Sequence, residues 1–295
     1  MPSLKEVKTR IGSVKSTRKI TNAMKMVASS KLHHAQRAIE CMRPYEKRLA
    51  SIMTRFLSTM EGEVESVYSE TREIRKVALV VISSNSSLCG AFNANIIKEF
   101  LKTAEEYKQK GVVVEVFPIG KKIAQAVQKA GYKFQSDNSD VLEHPEYIKA
   151  YNIAENFMQR FVNGEIDKVC IISQHFVNTS KQEICNKTFL PISLDDSANS
   201  KATAKSSNKG RQLDYIVEPS PASIISSLIP ATLHMQIFSA ILDSLAAEHA
   251  SRVVAMQVAT DNADDLIEQL TLTYNKTRQQ AITSELLDMA SGTFQ

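Results

Sequence analysis

The chain has 295 residues, 43% hydrophobic and 23% charged, proportions that exclude an intrinsically disordered or fibrous protein. Tryptophan is absent, and glycine and proline number only 9 and 8, which favours long elements with few breaks. The net charge of +4 hides an asymmetry: residues 1–55 hold thirteen Lys/Arg against three Glu, a net of +10, leaving −6 for the other 240.

Met1-Pro2-Ser3-Leu4-Lys5 leads directly into a charged helical pattern with no apolar signal core. Residues 3–60 read as one long helix or two in series. Steps of three and four trace a coiled-coil seam through Leu4, Val7, Ile11, Val14, Arg18, Thr21, Lys25, Ala28, Leu32, Ala35, Ile39 and Met42. Arg18, Thr21 and Lys25 interrupt it, while Ile20, Met24 and Val27 place apolar groups on a neighbouring face, as if the stripe migrates around the helix. Pro44 is expected to kink the helix or mark a junction.

Residues 77–82 form a continuous apolar run, as in a strand buried on both faces. The pattern then predicts a helix from Phe92 to about Tyr107, a strand over 112–117, a helix over 121–129, a helix over 144–161 and a strand over 168–173. Gln182–Leu190 and Leu213–Val217 alternate like edge strands, and the polar stretch 195–211 between them reads as a surface loop. This alternation predicts a small α/β domain.

From Ala231 to Ser291 there is neither Gly nor Pro, a run about 90 Å long if helical. Its expected seam is Leu233, Ile237, Ala240, Ser244, Ala247, Ser251, Val254 and Val258, with Leu266, Leu270 and Thr273 beyond. No stretch approaches the roughly 18 apolar residues of a membrane span. The natural partner of this helix is the N-terminal one. The fold class is therefore α/β: a long antiparallel coiled coil of the two terminal helices plus a central Rossmann-like α/β domain with a mixed sheet. The expected segments are a helix over 1–60, an α/β domain over 75–218 and a helix over 219–295.

No catalytic or cofactor constellation emerges. The turn Ser83-Ser84-Asn85-Ser86-Ser87-Leu88-Cys89-Gly90 has one glycine and is not a dinucleotide fingerprint, and Gly120-Lys121-Lys122 lacks the rest of a phosphate loop. Cysteines 41, 89, 170 and 185 form no metal or disulfide spacing, and the bland reading is free thiols. Cys89 follows a strand as nucleophiles can, yet nothing supplies it with a base. The basic N-terminal helix has three readings: a solvated face, a nucleic-acid contact, or a surface complementary to an acidic protein.

The segment Ile20-Thr21-Asn22-Ala23-Met24-Lys25-Met26-Val27-Ala28-Ser29-Ser30-Lys31-Leu32 resembles the N-terminal signature of the gamma subunits of F-type ATP synthases. Arg43-Pro44-Tyr45, Leu88-Cys89-Gly90-Ala91-Phe92-Asn93, Asp214–Pro219, Ser251–Met256, Ala259–Ala263 and Tyr274–Thr283 are similar to further motifs of that family, in its order. Ser86 and Ser87 depart from the basic residue and glycine usual before the LCG turn.

The resemblance implies a non-catalytic central-stalk rotor, turning in a ring of alpha and beta subunits to couple ion flow through a c ring to ATP synthesis or hydrolysis. No cofactor is implied. Lys19, Met24, Lys25 and Lys31 would face the ring, with Arg252, Arg278 and Gln279 making polar contacts to it. On this view Arg18–Lys25 face the ring and not the partner helix. Tyr215 and Glu218 would meet the c ring and epsilon, and the delta/epsilon subunits complete the partners. The expected location is the cytoplasmic face of a bacterial inner membrane, peripheral through the complex. The alternatives are a basic coiled-coil nucleic-acid-binding protein and an α/β nucleotide-binding enzyme.

Overall fold

The computed structural model describes residues 3–59, 67–132, 134, 138–192 and 221–292. They fall into two compact units, Lys31–Ser251 and the pair of segments Met1–Ser30 with Arg252–Gln295. Two long helices contribute to both: α1 (Leu4–Thr59) and α6 (Pro221–Gly292). Between them in sequence lie β1 (Lys76–Ile82), α2 (Phe92–Gln109), β2 (Val113–Ile119), α3 (Lys121–Lys129), α4 (Asp140–Glu143), α5 (Tyr147–Val162), β3 (Lys168–Phe176) and β4 (Gln182–Leu190).

The larger unit is built on a four-stranded sheet of order β2-β1-β3-β4. β2, β1 and β3 are parallel, and β4 returns antiparallel to β3. The apolar run of β1 is explained by burial on both faces. Ala78, Val80 and Ile82 join Val169 and Ile171 of β3 in one core, against Ala150, Phe157 and Phe161 of α5. Val77, Leu79 and Val81 are equally buried and, by the period of two, point to the opposite face. On α2 the buried residues Phe92, Ile96, Phe100, Thr103 and Ala104 recur at helical spacing and make one apolar stripe.

The helix expected over 144–161 begins instead at Tyr147. Pro145 disfavours the α conformation in the residue before it, and His144 sits at φ −133°, ψ 87°, closing the one-turn α4. Pro44, in contrast, marks no junction, and α1 is one helix through it. Leu213–Val217 and the loop 195–211 lie outside the described residues.

The α6 segment of this unit corrects the membrane expectation. By length and composition alone, α6 contains a stretch apolar enough to cross a bilayer. Its Ile229, Leu233, Ile237, Ile241 and Leu245, however, are buried in the core with α5 and the sheet. Each such side chain contributes about 1.5–3 kcal/mol by leaving water. Leu32, Ile39, Leu49 and Met53 are the buried row of α1 here. α1 runs antiparallel to α6, with Thr232 donating to the sulfur of Met53 and Ser239 to Glu46.

The smaller unit is an antiparallel helix pair. Val7, Thr21 and Ala28 of α1 are buried, as are Met256, Thr260 and Ala263 of α6.

Candidate functional site: the helix pair

Three polar contacts close the seam of the smaller unit where the apolar row is interrupted. Arg18 Nε pairs with Asp264 Oδ1 at 2.9 Å. The hydroxyls of Thr21 and Thr260 meet at 2.9 Å, and Lys25 Nζ donates to Gln257 Oε1 at 2.8 Å. Gln257 in turn donates to Asp261 at 2.7 Å. As residue number rises on α1 it falls on α6, the signature of antiparallel pairing. Thr21 is 9% exposed and Ala28 2%, whereas Ile20 and Val27 are 60% and 58% exposed.

This overturns the expectation that Arg18–Lys25 turn away from the partner helix. The stripe does not migrate. A strict three-and-four row holds through the polar residues because each finds a polar partner across the pair, and the apolar Ile20 and Val27 are left outside.

The expected row on α6 also shifts. Val254, Val258, Leu266 and Thr273 are exposed. The inward row is Arg252, Met256, Thr260, Ala263, Ile267, Leu270 and Tyr274, buried or half-buried. The expected and inward rows are one residue apart at Ser251 and Arg252 and two apart at Val254 and Met256, and they meet at Leu270, which belongs to both.

Lys19 is exposed and Met24 half-buried, and Lys25 is half-buried and engaged by Gln257. Arg252 is buried, while Arg278 and Gln279 are exposed. Lys31, in the larger unit, is exposed. Tyr215 and Glu218 lie outside the described residues. Sequence reasoning missed Gln257 and Asp264 as partners. Once Thr21 is set opposite Thr260, antiparallel counting puts them beside Lys25 and Arg18.

In the larger unit, the order β2-β1-β3 puts the switch point, where an α/β sheet would bind a nucleotide, at the carboxyl ends of β1 and β3. Beside it, at the carboxyl ends of β1 and β2, the chain closes on itself. The amides that open α3 are taken one by one: Lys121 N–H by Asn85 Oδ1, Lys122 N–H by the Ser84 carbonyl and Ile123 N–H by Ser83 Oγ. Gly120, at φ 114°, lies so close that a Cβ there would come within 2.7 Å of the Ser83 carbonyl oxygen. Ser84 Oγ donates to the Ser86 carbonyl at 2.6 Å, and Asn93 Nδ2 donates to the buried Cys89 sulfur at 3.1 Å. The turn passes through Leu88 at φ 67° and Gly90 at φ 58°. Burial pushes the thiols of Cys170 and Cys185 up, which keeps both protonated at neutral pH. Among the described residues, no three or more His, Cys, Asp or Glu are placed to hold a metal.

A family model described as ATP synthase matches residues 3–294. The ATP synthase gamma chain of Phocaeicola vulgatus is 51% identical over 293 residues, covering 99% of each chain. That of Bacteroides thetaiotaomicron is 50% identical over 299 residues and covers 100% of both. The chain belongs to the ATP synthase gamma-chain family.

Two solved structures share the fold of this chain. The rotor of the Euglena gracilis mitochondrial ATP synthase matches with a TM-score of 0.64 at 17% identity, over 95% of this chain and 98% of that one. The central stalk and c-ring structure of the Tetrahymena thermophila enzyme matches at 0.55 and 22% identity, over 81% and 99%. The Ser86–Ser87 departure sits in the turn just described, where Ser86 is held through its backbone carbonyl.

Proposed function

We propose that this chain is the rotor of the central stalk in an F-type ATP synthase. It turns inside the alpha/beta catalytic ring and couples ion flow through the c ring to ATP synthesis or hydrolysis. The observation that carries the reading is the antiparallel helix pair, its polar seam closed within the chain, in a chain 51% identical to a gamma chain over 99% of its length. Closing Arg18 and Thr21 on α6 leaves fewer strong hydrogen-bonding groups to hold any one neighbour. That suits a part that must let go of each catalytic subunit in turn.

The chain is non-catalytic in this reading, and nucleotide binding belongs to its partners. Lys19, Met24, Lys25, Lys31, Arg252, Arg278 and Gln279 are proposed contacts to the ring, and Tyr215 and Glu218 to the c ring and epsilon. The exposed Ile20 and Val27 join the surface offered to the ring. The α/β domain over 75–218 serves as the foot between the helical segments 1–60 and 219–295. The complex places the chain peripherally on the bacterial inner membrane.

Affinity isolation of the tagged chain from native membranes tests the reading. Alpha and beta subunits should copurify, and a bead fixed to the chain should rotate when ATP is supplied. Purification without those subunits, or salt-sensitive binding to DNA or RNA instead, overturns it.

A further inference from the structure

β3 and β4 run past the sheet. β1 pairs with β3 only as far as Val81 opposite Ile172. Ser173–Phe176 then continue with β4 alone, down to Phe176 opposite Gln182. A bare two-stranded arm is marginal in water and needs something to lie against.

Phe176 is buried there, and polar contacts of the arm reach both long helices within the larger unit. His175 Nδ1 lies 2.6 Å from Asp243 Oδ2 on α6. A carboxylate only accepts, so Nδ1 carries the proton. Arg43 of α1 donates from Nη2 to the Phe176 carbonyl at 3.0 Å, and the same nitrogen lies 3.6 Å from the other Asp243 oxygen. Ser251 of α6 donates to Gln182 Oε1 at 3.1 Å. Asp243 is thus the point where α1, the arm and α6 meet, its side chain 16% exposed.

We propose that Arg43, His175 and Asp243 form a clasp that transmits torque between the α/β domain and the two long helices. The proposal rests on the rotor reading above. The apolar core under α6 resists separation but has no preferred direction. Charge-assisted hydrogen bonds have fixed geometry, so they resist sliding and twisting at the joint. The three residues position the helices relative to the domain and touch no nucleotide.

The test uses the assembled enzyme in inverted membrane vesicles, comparing ion transport with ATP hydrolysis in the same preparation. His175→Ala and Asp243→Asn should leave hydrolysis near wild type and lower ion transported per ATP by roughly two- to thirtyfold, the span expected when one side chain of a coupling network is removed. The exchange His175→Asp with Asp243→His keeps the pair and should recover most of that ratio. Where His175→Ala fails to assemble, the isosteric Asp243→Asn carries the test. A ratio unchanged in Asp243→Asn, or a loss that the exchange does not recover, overturns the clasp. Failure of the wild-type chain to join alpha and beta subunits overturns the rotor reading instead.

Discussion

Thr21 and Thr260, 239 positions apart, share a hydrogen bond of 2.9 Å inside the helix pair. Each hydroxyl also reaches its own helix, Thr21 the Arg18 carbonyl at 3.0 Å and Thr260 the Met256 carbonyl at 2.8 Å. Neither is orphaned when its partner is removed. Thr21→Val should therefore cost only about 0.5–1.5 kcal/mol, and Thr21→Val with Thr260→Val should restore most of it or exceed wild type. Denaturant midpoints of the four chains check this, and a double variant as unstable as the summed singles would refute it.

The exposure pattern makes a sharper distinction between neighbours. Ile20→Gln and Val27→Gln alter exposed side chains and should change stability by less than about 0.5 kcal/mol. Ala28→Gln adds a long polar group at a buried seam position and should cost about 1–3 kcal/mol. Thermal unfolding followed by circular dichroism would separate the two classes.

Gly120→Ala is expected to be among the worst single changes in the α/β domain. A methyl there would meet the Ser83 carbonyl oxygen at 2.7 Å and its Oγ at 2.8 Å, at a φ of 114° that side chains avoid. The loss should be roughly 2–4 kcal/mol. Gly131, at φ 78° with open space around it, should suffer only the conformational penalty, about 1–2 kcal/mol. Comparing the two melting temperatures isolates the clash.

Alkaline pH should weaken the fold. Burial raises the hydroxyl pKa of Tyr68, Tyr107 and Tyr147 and the thiol pKa of Cys170 and Cys185. A folded state that holds these protons more tightly than the unfolded chain keeps the full benefit below the ordinary values, near 8.5 for thiols and about 10 for tyrosines. That benefit is lost as pH rises toward the raised values. Melting temperature should fall steadily from about pH 8.5 to 11. Tyr107→Phe, which removes the group beside Cys170 at 3.6 Å, should flatten the slope. An equal slope in that variant would discard the explanation.

Much of the architecture was legible from residue order. The two-sided apolar run of β1 and the polar alternation of β4 announced a buried parallel strand and an edge. The scarcity of Gly and Pro announced the long helices. Reading failed where a rule of periodicity met a rule of chemistry. Polarity alone turns Arg18, Thr21 and Lys25 away from the partner helix, yet each meets it, because Asp264, Thr260 and Gln257 stand opposite. The Arg43–His175–Asp243 junction was invisible for a related reason: its members lie on α1, β3 and α6, far apart in sequence, and no one motif joins them.

By itself, then, the sequence determined which segments form helices and strands, and through its motifs the family, because local spacing and residue identity are written along the chain. Only the tertiary structure decided which face of each helix turns inward, and which polar groups find partners. Those outcomes depend on a second element supplying the complementary atom at hydrogen-bond distance. For Thr21, that element lies 239 residues away.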